Sequence, residues 1–132
     1  MNFIKTSDMY YKYTLLSNKQ TAFIGFRDMD YYNFKGFCVI FAIANKKKHI
    51  KKWLNEKANP IDCKCTGKSG LEGLIWAKKQ VKEFEQLIKE QYPVDNIRIE
   101  IAGADNRRFR IYKKAMKDYN YSQSESILYK KL

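Results

Sequence analysis

Three groupings of residues have types and spacings that could do chemistry. The first is the run Thr66-Gly67-Lys68-Ser69-Gly70-Leu71-Glu72-Gly73, which opens a long segment of apolar periodicity. Small residues let backbone N–H groups point into open space, and a helix N-terminus adds a positive partial charge, so such a turn suits a phosphate. It is not a Walker-type nucleotide loop, because position 62 is Asp where that motif requires glycine. The plain structural alternative is that Thr66 or Ser69 caps the helix and the glycines only shape the turn.

The second grouping runs from Ile97 to Tyr119 and contains Asn106-x-x-Phe109-x-x-Tyr112. A phenol with an ordinary pKa near about 10 is protonated at neutral pH and can donate to a departing thiolate. The same Tyr112 shares an apolar helix face with Phe109 and Met116, so a core role is the competing reading. Glu100 points away from Ile97, Ile99 and Ile101 on an alternating stretch. It could take a proton from an amine, or be paired by Arg98 on the same face. The third grouping is basic. Arg107, Arg110, Lys113, Lys114 and Lys117 are assigned to the helix face opposite Phe109 and Met116, and Lys46 to Lys52 adds a second cluster. Such cations could track phosphates while Tyr31, Tyr32 and Phe34 stack on bases. The competing reading is a solvated outer face.

The elements that must position these residues follow from periodicity. Residues 9–16 and 21–27 read as strands joined by the polar turn Ser17-Asn-Lys-Gln20, and residues 37–44 form a continuous apolar run. Together they predict an antiparallel meander whose last strand is central and covered on both faces. Lys46 to Ala58 predicts a short amphipathic helix. From about Gly70 to Glu90 the apolar positions Leu71, Leu74, Ala77, Val81, Phe84 and Ile88 fall on one helix face. Residues 96–102 alternate as a strand. Asp105-Asn106 can cap a last helix through about Tyr119, and residues 126–132 could close the sheet.

This order of elements resembles the GNAT N-acetyltransferase superfamily. Over about residues 64–121 the likeness rests on the Gly-rich turn, the long helix, the following strand, and the helix bearing Asn106 and Tyr112. It implies acetyl-CoA held between two splayed parallel strands. The turn Gly67, Lys68, Ser69 and Gly70 would hold the pyrophosphate, Asn106 would lie by the pantetheine arm, and Tyr112 would be the general acid. The chain departs from the family in four places. In the turn itself, Lys64 or Gly67 stands at the position of the usual Arg or Gln before x-x-Gly-x-Gly/Ala, and neither matches cleanly. Phe109 replaces a small residue, the helix at Lys46 to Ala58 is an insertion, and only about four residues separate the first two strands.

The composition bounds these readings. The chain has 132 residues with 26 Lys+Arg against 14 Asp+Glu, a formal charge of +12. That length predicts one domain over residues 1–132 with its own core. The charge favours an anionic partner, but 21 of the 26 cations are Lys spread along the whole chain. No apolar run approaches the roughly 18 residues of a spanning helix. The start lacks signal-peptide character, so a cytoplasmic location is expected and a membrane partner is not. Cys38, Cys63 and Cys65 are odd in number and Cys38 falls mid-strand, so neither disulfides nor a metal is expected. The expected fold is α+β, a mixed, mostly antiparallel sheet of 5–6 strands flanked by about three helices, GNAT-like. The expected function is an acyl-CoA-dependent N-acetyltransferase-like domain, active or degenerate, with an amine acceptor. The alternative is a small basic non-enzymatic module that binds nucleic acid or a protein partner, as phage- or mobile-element-type inhibitors do.

Overall fold

The continuous apolar run becomes the middle strand of the sheet. The computed structural model describes residues 2–30, 34–56, 68–93, 96–102 and 106–132. Among these, the chain forms β1 (Ile4–Lys5), β2 (Met9–Leu15), β3 (Thr21–Asp30), β4 (Lys35–Ala44), α1 (Lys47–Glu56), α2 (Lys68–Gln91), β5 (Ile97–Ala102), α3 (Asn106–Ala115), β6 (Asn120–Ser122) and β7 (Ile127–Lys131). The strands lie in the order β1-β2-β3-β4-β5-β7-β6. Strands β1 to β4 are an antiparallel meander, β4 and β5 run parallel, and β5-β7-β6 is again antiparallel. The class is α+β with a mixed sheet.

Each face of the sheet has its own core. On one, Ile24, Phe26, Phe37, Val39, Ile99, Ile101 and Leu128 meet Ala77, Val81, Phe84 and Ile88 of α2 and Phe109 of α3. Phe84 is its hub. Its ring stacks on Phe26 at 3.9 Å between centroids and meets the Phe37 ring edge-on at 5.1 Å. On the other face Ile50 of α1 packs on Phe23 and Ala44, with Leu54 and Ile40 beside them. Both sides of β4 are therefore covered, which is why its sequence does not alternate.

Three details differ from the sequence expectation. The sheet has seven strands rather than 5–6, because β1 and β6 are two and three residues long and mostly exposed. Strands that short carry no readable hydrophobic period. The last helix ends at Ala115, after which Tyr119 N–H donates to the Met116 carbonyl in a turn. Tyr119 still reaches the core, 6% exposed, but by that turn. Finally, Leu71 is 59% exposed where an inner position was expected. Gly73 takes the inner place. A Cβ there would stand 2.6 Å from Ile43 Cδ1, so glycine leaves this place on α2 to the end methyl of Ile43 on β4.

Candidate functional site

The site begins with a register. β4 and β5 form five pairs, from Lys35↔Ile97 to Val39↔Ile101. β4 continues to Ala44 along β3, whereas β5 ends at Ala102 and the chain turns to α3. Past Val39 the ladder stops, because only Ala102 of β5 remains, and residues 40–44 have no β5 partner among the described residues.

On the face carrying α2 and α3, a cavity of about 90 Å³ lies at the end of this ladder. Val39, Phe41 and Ile101 form its floor, and Leu74 and Ala77 of α2 form one wall. Its polar lining is Lys78 on α2 with Arg108 and Tyr112 on α3. Helical spacing explains the set. Arg108, Tyr112 and Met116 succeed one another at four-residue steps and so share a face, as do Leu74 and Lys78. Arg108 was not singled out in the sequence, where it stands between cations assigned to solvent. Its distance of one helical turn from Tyr112 was the signal that could have found it.

Both helices start at the C-terminal end of the parallel pair. Gly73, in the second turn of α2, touches Ile43 near the end of β4, and α3 begins four residues after β5. Their positive ends thus flank the end of the β4–β5 ladder. Lys68 and Ser69 are the first two residues of α2 and Gly70 follows, partly exposed. Gly67 lies outside the described residues, as do Thr66, Cys63, Cys65, Tyr31 and Tyr32. Asn106 is the first residue of α3 and is exposed.

Glu100 sits on the other side of the sheet from Tyr112. It alternates with the buried Ile99 and Ile101 and pairs in the ladders with Cys38 and Tyr129. Arg98 Nε lies 2.9 Å from its Oε1, a close charge contact without hydrogen-bond geometry, and the Arg98 guanidinium stands 4.4 Å over the Tyr129 ring. Glu100 is therefore not among the residues that line the cavity, and the structure does not bring it together with Tyr112. Burial, with the charge of Glu100 adding to it, pushes the Cys38 thiol up. It is a protonated packing residue rather than a nucleophile at neutral pH. His49 is exposed, and no group of three metal-ligating side chains occurs among the described residues.

The basic residues divide. Arg107, Arg110, Lys114 and Lys117 are exposed. Lys113 is not on their face. It follows Phe109 by one turn, and its ammonium stands 5.0 Å over the Phe109 ring and 4.5 Å over that of Tyr121. A separate cluster serves stability. Glu85, buried, accepts hydrogen bonds from the Tyr119 hydroxyl at 2.8 Å and Lys130 at 3.0 Å. Asp118 accepts from Lys130 at 2.7 Å and from Lys82. Burial above all, and then the charge of Glu85, pushes the Tyr119 phenol far up. The Tyr119 hydroxyl is thus locked to Glu85.

No helix among the described residues is long and apolar enough to cross a membrane. Comparison with known proteins finds no family model, no curated sequence and no solved structure that matches this chain.

Proposed function

We propose that this chain binds an acyl-coenzyme A at the end of the β4–β5 ladder and is organised as a GNAT-like N-acetyltransferase, acting on an amine in the cytoplasm. The observation that carries the reading is a five-pair parallel ladder whose end, at Val39 and Ile101, lines a cavity together with Tyr112. The strand order, the long helix after β4, and the Asn106-to-Tyr112 helix after β5 accord with the same reading.

The room fits the reacting end of such a ligand. An apolar cavity of roughly 150 Å³ takes a benzene ring. About 90 Å³ on the same measure takes about four heavy atoms, the size of an acetyl thioester. Arg108 and Lys78 supply cations beside the apolar floor, and the N-terminus of α2 at Lys68, Ser69 and Gly70 would supply backbone donors for a pyrophosphate.

Bound acetyl-CoA would supply the thioester carbonyl that an amine attacks. Tyr112, which lines the cavity, would donate its phenol proton to the departing sulfur. Glu100 lies on the sheet face away from the cavity and does not line it, so the proton that the amine loses would go to solvent. Val39, Phe41, Ile101 and Leu74 keep water from the thioester. Isothermal titration with acetyl-CoA tests the reading. Micromolar binding that weakens at least tenfold in Arg108→Glu supports it, and no binding at millimolar ligand overturns it.

A further inference from the structure

The cations that do not line the cavity are the largest feature that the acyl-CoA reading leaves unused. Residues 106–117 hold six cations and no acid. At about 100° per residue, Arg107, Arg110 and Lys114 fall within an arc of about 60° and span about 10 Å of α3. All three are exposed, as is Lys117 just beyond, and none of the four forms an ion pair among the described residues. The next acid in the chain, Asp118, is taken by Lys82 and Lys130. Among the described residues this stripe therefore has no ion-pair partner.

An aromatic ring borders the stripe. Tyr121, on the edge strand β6, is 56% exposed. The Lys113 ammonium lies over its ring at 4.5 Å, on the flank of α3 between the stripe and Phe109. Cations along a line with an open ring at its border complement a strand of phosphates carrying unstacked bases. A duplex keeps its bases stacked and offers the ring nothing. We propose that the outer face of α3 together with Tyr121 is a docking surface for single-stranded nucleic acid, separate from the cavity.

The test is fluorescence anisotropy of the full chain with labelled oligo-dT and oligo-U of about twelve nucleotides. Four phosphate contacts give a slope of log affinity against log salt near about −3, at about −0.7 per contact on a single strand. Arg110→Glu/Lys114→Glu is expected to weaken binding at least tenfold and to halve that slope. Lys48→Glu/Lys51→Glu on α1 changes the total charge equally and is expected to cost under threefold. Tyr121→Ala is expected to cost about tenfold, the loss of one stacked base, and Tyr121→Phe under twofold. Should the charge-reversed pair fail to fold, Gln at both positions carries the same comparison. Saturating acetyl-CoA is expected to leave oligonucleotide affinity unchanged. Binding of either oligonucleotide in this pattern supports the proposal. Equal losses from the α1 and α3 pairs would reduce it to diffuse charge attraction and overturn it. So would no effect of Tyr121→Ala, tighter binding of a duplex of equal length, or displacement by acetyl-CoA.

Discussion

Replacing Gly73 with Ala puts two opposing effects of similar size at one position. Ala stabilises a helix interior by about 1 kcal/mol relative to Gly. Its Cβ would meet Ile43 Cδ1 at 2.6 Å, well inside van der Waals contact, while the next atoms, Ile43 Cγ1 and Phe41 Cζ, stand at an ordinary 3.6 Å. Ile43 is buried, so its end methyl has little room to swing, and overpacking of this kind costs about 1–3 kcal/mol. The net expectation for Gly73→Ala is a loss of about 1 kcal/mol. Ile43→Val removes the offending methyl at its own cost of about 0.5–1.5 kcal/mol. In that background Gly73→Ala should instead gain about 1 kcal/mol, so the two sites couple by about 2 kcal/mol. Urea unfolding of the four proteins in this double-mutant cycle measures the coupling directly. If Gly73→Ala stabilises both backgrounds equally, the Ile43 end methyl yields to the added Cβ without cost and the reasoning from this contact fails.

Other consequences follow from the tyrosines and the charge cluster. Tyr119→Phe removes a donor from the buried Glu85 carboxylate and should cost about 1.5–3 kcal/mol in denaturant unfolding. Tyr112→Phe should cost less stability than that, yet lower acetyl transfer to an amine panel by about 10²–10⁴-fold with acetyl-CoA affinity nearly unchanged. Burial raises the Asp118 carboxyl, but hydrogen bonds from Lys130 and Lys82 prevail and hold it at about 2, below its ordinary 3.8. A depressed carboxylate stabilises the fold above its unfolded pKa and loses that contribution as pH falls through the folded one. Stability should therefore drop between about pH 4 and pH 2. With the side chain 41% exposed and screened by solvent, the drop should be about 1 kcal/mol rather than the full linkage value. Asp118→Asn should remove that part of the pH dependence, as urea titrations at the two pH values would show.

What was legible in the sequence is what has a period. The apolar run of β4, the alternation of β5 and the helical spacing of Val81, Phe84 and Ile88 each report a face held against a core, and all three recur in the fold. Alternation also placed Glu100 and Arg98 together on the face away from the isoleucines, where they meet at 2.9 Å. Leu71 misled because periodicity treats glycine as a gap, whereas a close helix–strand approach uses it as the contact. Lys113 misled for the opposite reason. A long cation can lie along the aromatic it follows by one turn, so its charge did not mark the outer face. The cavity was invisible because it depends on where the β4–β5 register stops, a property of the two strands together. Arg108 entered the candidate site only once that register and the α3 phase were known.

Methyl-selective NMR during titration with acetyl-CoA tests the central claim most directly. Ligand at the end of the β4–β5 ladder should shift Val39, Ile101 and Leu74, which line the cavity, while Ile50 on the opposite face and Ile88 near the far end of α2 stay in place. Shifts confined to Ile50 or Ile88, or no shift at millimolar acetyl-CoA, would contradict the account.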